Sequence, residues 1–199
     1  MSMMFQGTHG SLVDVFFLWR SWDGTNAHLV AQANASSSPG AATTTAADST
    51  GVWHHACAVF ASSTSRSIYL DGTNKITNTT SITPSSGSIT GTRIGDSDAD
   101  CFDGDLAEVA IWNAALSDAE VASLFVSNGV GVYPTDVKVA NLVAYWPVLG
   151  SSSPEPDDVG SNDLTLFNSP ASSTHLTMQN IGSGGGGGGL VAMMMQNEG

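Results

Sequence analysis

The densest set of ligand-type atoms in the sequence is the run Asp96-Ser-Asp-Ala-Asp-Cys-Phe-Asp-Gly-Asp105. Hard cations such as calcium are held by several oxygens, and a run of carboxylates supplies them. The run is not an EF-hand: counted from Asp96, the sixth position is Cys101 where glycine is needed, and the twelfth is Ala107 where glutamate is needed. His54, His55 and Cys57 offer softer donors. On a strand His55 and Cys57 share a face while His54 points away, so only two ligands converge, short of a four-ligand zinc site. These side chains read as core or sheet-surface residues. Cys57 and Cys101 read as two buried thiols, with one bridge geometrically open to them.

Sugar recognition asks for a different residue type, because a flat aromatic ring stacks on the apolar face of a pyranose. Trp53, Trp112 and Trp146 fall in regular apolar runs and read as core. Trp22 sits in Ser21-Trp-Asp-Gly-Thr-Asn26, a polar loop, so Trp22, Asp23 and Asn26 form the candidate glycan-binding set. Catalytic patterns are missing. No Gly-x-Ser-x-Gly occurs, and the glycine run near the C-terminus has no preceding strand or following helix pattern, which makes it a linker and not a nucleotide site. The chain is not read as an enzyme and no catalytic residues are expected.

The elements that must position these residues are short β-type runs separated by Ser, Thr, Gly, Asn and Asp, the signature of an all-β sandwich or barrel. Strands are expected over Leu12–Arg20, His28–Ala33, Val52–Ala61, Ser67–Leu70, Ser88–Gly95, Asp105–Trp112, Leu142–Pro147 and Asp163–Phe167. Both faces of Val52–Ala61 are small or apolar, as suits a central strand covered on both sides. Asp71-Gly72 signals a hairpin, and the stretch 33–50 reads as a weak edge strand or a loop. One helix is expected after Leu116, with Ser117 as N-cap and Glu120 completing a capping box. Met1 to Gly10 leaves little room for an opening strand.

Only 12 % of the residues are charged, about half the usual ~25 %, and five Lys and Arg against eighteen Asp and Glu give −13. That balance excludes a nucleic-acid binder working by phosphate neutralisation and disfavours an anionic membrane surface. No signal peptide and no membrane insertion are expected, since the N-terminus lacks a basic region and Val13–Trp19 is too short to span.

Four segments carry a resemblance. Gly51-Val-Trp-His-His-Ala-Cys-Ala-Val-Phe60, Arg66-Ser-Ile-Tyr-Leu-Asp-Gly72, Thr92-Arg-Ile-Gly95 and Phe102-Asp-Gly-Asp-Leu-Ala-Glu-Val-Ala-Ile-Trp-Asn-Ala-Ala-Leu-Ser117 resemble, in order and spacing, the laminin-G-like branch of the concanavalin A-like lectin/glucanase superfamily, close to pentraxin-like modules. The resemblance implies an all-β fold: an antiparallel β-sandwich of jelly-roll type with one short helix, over residues 1–175. The segment 141–167 looks like the part that usually opens such a domain, so it reads as a permuted opening segment or as a truncated second copy. Such modules often hold calcium at loop carboxylates, which makes Asp96, Asp98, Asp100, Asp103 and Asp105 candidate calcium ligands. The related glucanases carry their carboxyl pair as Glu-x-Asp-x-Glu on one strand, and that pattern is absent. Asp103-x-Asp105-x-x-Glu108 is nearest, but it sits in the structural motif.

Leu142 to Asp157 also resembles the tails of jelly rolls in tailed-phage structural proteins. The expectation is therefore a structural and recognition module, a decoration or fibre-associated protein of a virion, extracellular after release. Its partners would be subunits of a capsid or fibre and cell-surface glycans. The alternative is a soluble, calcium-dependent glycan-binding module. Residues 176–199 read as a glycine-rich linker and an apolar tail, with Leu190, Val191, Met193, Met194 and Met195 as an anchor for a partner subunit, removable without loss of the fold.

Overall fold

A computed structural model describes residues 2–7, 15–35, 38–84, 90–96, 101–127, 130–150, 153–168, 170–172, 175–179 and 189–196. In chain order the strands are β1 (Ser2–Gly7), β2 (Val15–Trp22), β3 (Ala27–Ala35), β4 (Ser38–Thr43), β5 (Trp53–Ser62), β6 (Ser65–Leu70), β7 (Ile76–Asn78), β8 (Gly91–Ile94) and β9 (Asp105–Asn113). Helix α1 (Asp118–Ser123) follows, then β10 (Phe125–Ser127), β11 (Val130–Val132), β12 (Leu142–Trp146), β13 (Thr177–Gln179) and β14 (Gly189–Gln196).

They build a five-stranded sheet in the order β4-β3-β2-β1-β8 and a six-stranded sheet in the order β12-β9-β14-β5-β6-β7. The two face each other, with β3 over β5 and β6, and β4 over β6 and β7. Between them lies a core of Leu18, Leu29, Ala31 and Ala42 from one sheet against Ala56, Ala58, Ile68, Leu70, Val109, Ala144 and Trp146 from the other. This is the expected β-sandwich with one short helix.

The period of β5 produces a second core. Cys57 and Val59 alternate with Ala56 and Ala58, so they point to the opposite face of the same sheet. There they meet Tyr69, Ala110 and Trp112, covered by Leu116, Val121 and Leu124 around α1 and by Val132 and Val137. The helix starts where its capping box does: Glu120 N donates to Ser117 Oγ at 3.3 Å, and Ser117 N donates to Glu120 Oε2 at 2.6 Å.

Two close approaches fix the sandwich edges. The buried Arg66 guanidinium donates to Asn78 Oδ1 at 2.5 Å, Ser63 O at 2.8 Å and Thr80 O at 2.6 Å. A Cβ on Gly40 of β4 would stand 2.2 Å from Arg66 Nη1, so only glycine lets the two sheets close there. At the other edge, Asp157 Oδ1 accepts from Tyr145 N at 3.0 Å, Val159 N at 3.1 Å and Gly160 N at 3.0 Å, and Oδ2 accepts twice from Asn162. Burial pushes this carboxyl up, but the hydrogen bonds outweigh it and hold its pKa at about 2. The loop after β12 is thereby fastened over an edge strand that would otherwise present free backbone groups.

Several expectations need correction. The stretch 2–7 is a strand, paired with both β2 and β8, although the sequence left little room for one. Asp163–Phe167 is not a strand: Leu164 makes a single bridge to Glu155. Of the two readings of 33–50, the edge strand holds: Ser38–Thr43 is β4, at the edge of the five-stranded sheet. Segment 142–146 pairs antiparallel with β9 and buries Ala144, Tyr145 and Trp146, so it packs in the same cores as the rest of the chain.

The largest correction concerns the C-terminal tail. Leu190, Val191, Met193, Met194 and Met195 are not a free anchor. They lie in β14, which pairs antiparallel with β5 from Leu190↔Val59 to Gln196↔Trp53 and with β9 on its other side. The physical reason is backbone pairing: β5 and β9 face each other across a gap one strand wide, and leaving it open would strand two rows of buried N–H and C=O groups. A chain ending at residue 188 should therefore lose cooperative thermal unfolding and its near-ultraviolet circular dichroism. A truncated protein that melts like the full chain would show that β14 is dispensable.

Candidate functional site

The Trp22 loop joins β2 to β3 and is built by its own polar groups. Asp23 N donates to Asn26 O at 3.1 Å, and Asp23 Oδ1 accepts from Thr25 N and Asn26 N, both at 2.8 Å. Gly24 takes the left-handed backbone, φ +98°, that closes the turn. His28 Nε2 lies 3.1 Å from Asp23 Oδ2. The backbone hydrogen bonds from Asn26 and Thr25 hold the Asp23 carboxyl below its usual range. Trp22 is left 64 % exposed on this rigid turn, with Asn26 exposed beside it.

The other tryptophans do different work. Trp112 and Trp146 are buried, donating their indole N–H to Val137 O and Asn162 O, each at 2.9 Å. Trp53 is half-buried against the small Ala107 and Leu176 cluster, and Trp19 packs on Phe17.

The acidic run does not gather as a metal site among the described residues. Asp98 and Asp100 lie outside them. Asp96 carries an ion pair, Oδ2 3.6 Å from Arg93 Nη1, and Asp103 and Asp105 do not join it in any group of three carboxylate, imidazole or thiolate side chains. A cation neighbour at one of three visible ligands fits a calcium cradle poorly. The cysteines also differ from expectation. Cys57 is buried, where lack of solvation pushes its thiol up, but Cys101 is exposed, and both are free.

The paired histidines part as the strand period demands. His55 is fully buried, stacked on Phe125 with centroids 6.4 Å apart, and among the described residues neither ring nitrogen has a hydrogen-bond partner. Burial drives its pKa down to about 4, partly opposed by the Asp71 charge. His54 faces the other way. Its Nδ1 lies 2.9 Å from Asp71 Oδ2 and its Nε2 lies 2.9 Å from Ser49 Oγ. Its pKa is raised, chiefly by the Asp71 hydrogen bond. Asp71 reaches the ring because the Asp71-Gly72 turn carries both residues at positive φ, 54° and 70°.

A second constellation escaped the sequence reading. Glu108 is buried at φ +56° in a bulge of β9, accepts from Tyr145 OH, and lies with Oε1 2.9 Å from His175 Nε2. Burial lifts its carboxyl above the usual range. The bulge turns Glu108 inward and clamps residue 175 to the sheet. No spacing in the sequence relates residues 108, 145 and 175, or residues 49, 54 and 71; chain reversal brings each set together.

His55 generates a prediction. An imidazole whose folded pKa is about 4, against 6.5 unfolded, contributes full stability above pH 6.5 and loses it as the pH falls toward 4, on the order of 3 kcal/mol at the lower end. His55→Leu, of similar volume, should melt higher than the parent at pH 5 and flatten the acid limb of the stability curve. An unchanged limb would mean that the ring is not buried neutral.

A family model described as the concanavalin A-like lectin/glucanases superfamily, of laminin-G type, matches residues 3–122. No curated protein and no solved structure matches the chain.

Proposed function

The chain belongs to the concanavalin A-like lectin/glucanase superfamily, and from that premise we propose that it is a saccharide-recognition module whose contact platform is the Trp22 loop. The observation that carries the reading is Trp22 itself: a large aromatic 64 % exposed on a turn pinned by three hydrogen bonds to the Asp23 side chain. Exposing an indole forfeits about 2 kcal/mol of available burial, and the pinned turn fixes the backbone that carries it, so only the Trp22 side chain remains to be ordered on binding. Asn26 adds an amide donor and acceptor at the rim for sugar hydroxyls.

The binding is calcium-independent in this reading. Asp23 already spends both carboxylate oxygens on the loop, and the three visible carboxylates of the acidic run do not converge. Membership of a virion, as a decoration or fibre-associated module, is supported by the resemblance of Leu142–Asp157 and by the acidic, Lys-poor composition, and no longer by a free anchor, since β14 is paired in the sheet.

Screening the full chain on a glycan array, with and without a chelator, tests the proposal. We expect binding that survives chelation and falls at least about 10-fold in Trp22→Ala, with an unchanged melting temperature because the ring is exposed. A silent array, or binding untouched by Trp22→Ala, would remove the platform. Loss of binding on chelation would return the site to the acidic run.

A further inference from the structure

Ser49, His54 and Asp71 form a relay that saccharide binding does not use. Asp71 Oδ2 lies 2.9 Å from His54 Nδ1, and His54 Nε2 lies 2.9 Å from Ser49 Oγ. A carboxylate can only accept, so Nδ1 carries a proton, and in the neutral ring Nε2 then keeps its lone pair, the tautomer a general base requires. Asp71 is held from its other side: Oδ1 accepts from His55 N at 3.0 Å, and its own N donates to His55 O at 2.8 Å. Nε2 also accepts from Ser49 N at 3.1 Å, which pins the serine backbone beside the ring.

Access and electrostatics agree with this arrangement. Ser49 is exposed, while the His54 and Asp71 side chains are 13 % and 25 % exposed. Two carboxylates face the imidazole, Asp71 by direct hydrogen bond and Asp48 by charge, and both favour its protonated form. Asp48 is itself fixed, with Oδ2 2.5 Å from Arg20 Nε and its N donating to Ala27 O at 3.2 Å. That last bond sets residue 49 beside the end of the Trp22 loop.

We propose that Ser49 is a nucleophile for carboxylic esters, with His54 as its general base and Asp71 as the positioning residue that sets the ring. Ser49 Oγ attacks the ester carbonyl carbon as its proton passes to His54 Nε2. The bond from that carbon to the alcohol oxygen breaks, and the departing alkoxide takes the proton from Nε2. Water, deprotonated by the same nitrogen, attacks the acyl carbon; the carbon–Oγ bond breaks, Ser49 Oγ takes the proton back from Nε2 and the carboxylic acid leaves, so the net change is ester plus water to acid plus alcohol.

The test uses the full chain with a fluorophosphonate probe, which forms an Oγ–P bond and expels fluoride, and with p-nitrophenyl acetate. Neither reagent is a saccharide, so this result and the glycan array stand or fall separately. We expect one label per chain, mapped by peptide mass to Ser49 and lost in Ser49→Ala. His54→Gln should slow acetate release by at least about 100-fold. Asp71→Asn should also slow it and move the midpoint of the pH–rate profile to lower pH, because the group that raises the imidazole pKa is gone. Circular dichroism identifies any variant that fails to fold, and His54→Gln, with Asp71 still bonded to the β5 backbone, serves if Asp71→Asn does. An unlabelled wild-type chain, a label elsewhere, or His54→Gln reacting at the wild-type rate would overturn the proposal.

Discussion

The fold depends on one requirement of backbone chemistry: β5 and β9 are buried on both faces, so every N–H and C=O along their edges must find a partner. β6 and β12 satisfy their outer edges. Their inner edges face each other across β14, which pairs with both. The six-stranded sheet is therefore two smaller sheets, β12-β9 and β5-β6-β7, joined by a strand that arrives last in sequence. Without it neither core would close, because each core draws residues from both halves.

A sheet covered on two faces confines function to its ends and rims. The sandwich core occupies one side and α1 with its neighbours occupies the other, so neither face of the six-stranded sheet is open among the described residues. The polar turns at its rim include the β2–β3 loop with Trp22, the 48–54 approach to β5, and the Asp71-Gly72 turn after β6. The first two are linked by the bond between Asp48 N and Ala27 O, and the second and third by His54. The rim gains its rigidity from carboxylates that are spent on the backbone, Asp23 within its loop and Asp71 on the start of β5. Asp157 does the same for the loop over β12.

Local patterns were legible wherever the information is local. Ser117 and Glu120 announce the helix start because a capping box closes within one turn, and the alternation Trp53 to Phe60 announces a strand buried on both sides because side chains alternate on any strand. Trp22 reads as exposed from its polar loop, and it is. Reading failed where pairing is non-local. Residues 2–7 and 189–196 carry weak strand signals, and their partners in β8, β5 and β9 lie tens of residues away. Cys101 was expected to be buried as a small apolar side chain, and it is exposed.

By itself the sequence determined the all-β class, the two-faced central strand, the capped helix and the superfamily, since each rests on residue type at short, fixed spacing. It also determined that nothing basic enough to neutralise phosphates could be built from five Lys and Arg. Only the tertiary structure decided that the C-terminal apolar segment pairs between β5 and β9 and completes a sheet. It alone decided that the His55 ring is buried with no hydrogen-bond partner among the described residues while its neighbour His54 bridges Asp71 and Ser49. The reason is the same in each case: hydrogen-bond and burial partners are chosen by chain reversal, and no spacing along the chain records which strands will lie side by side.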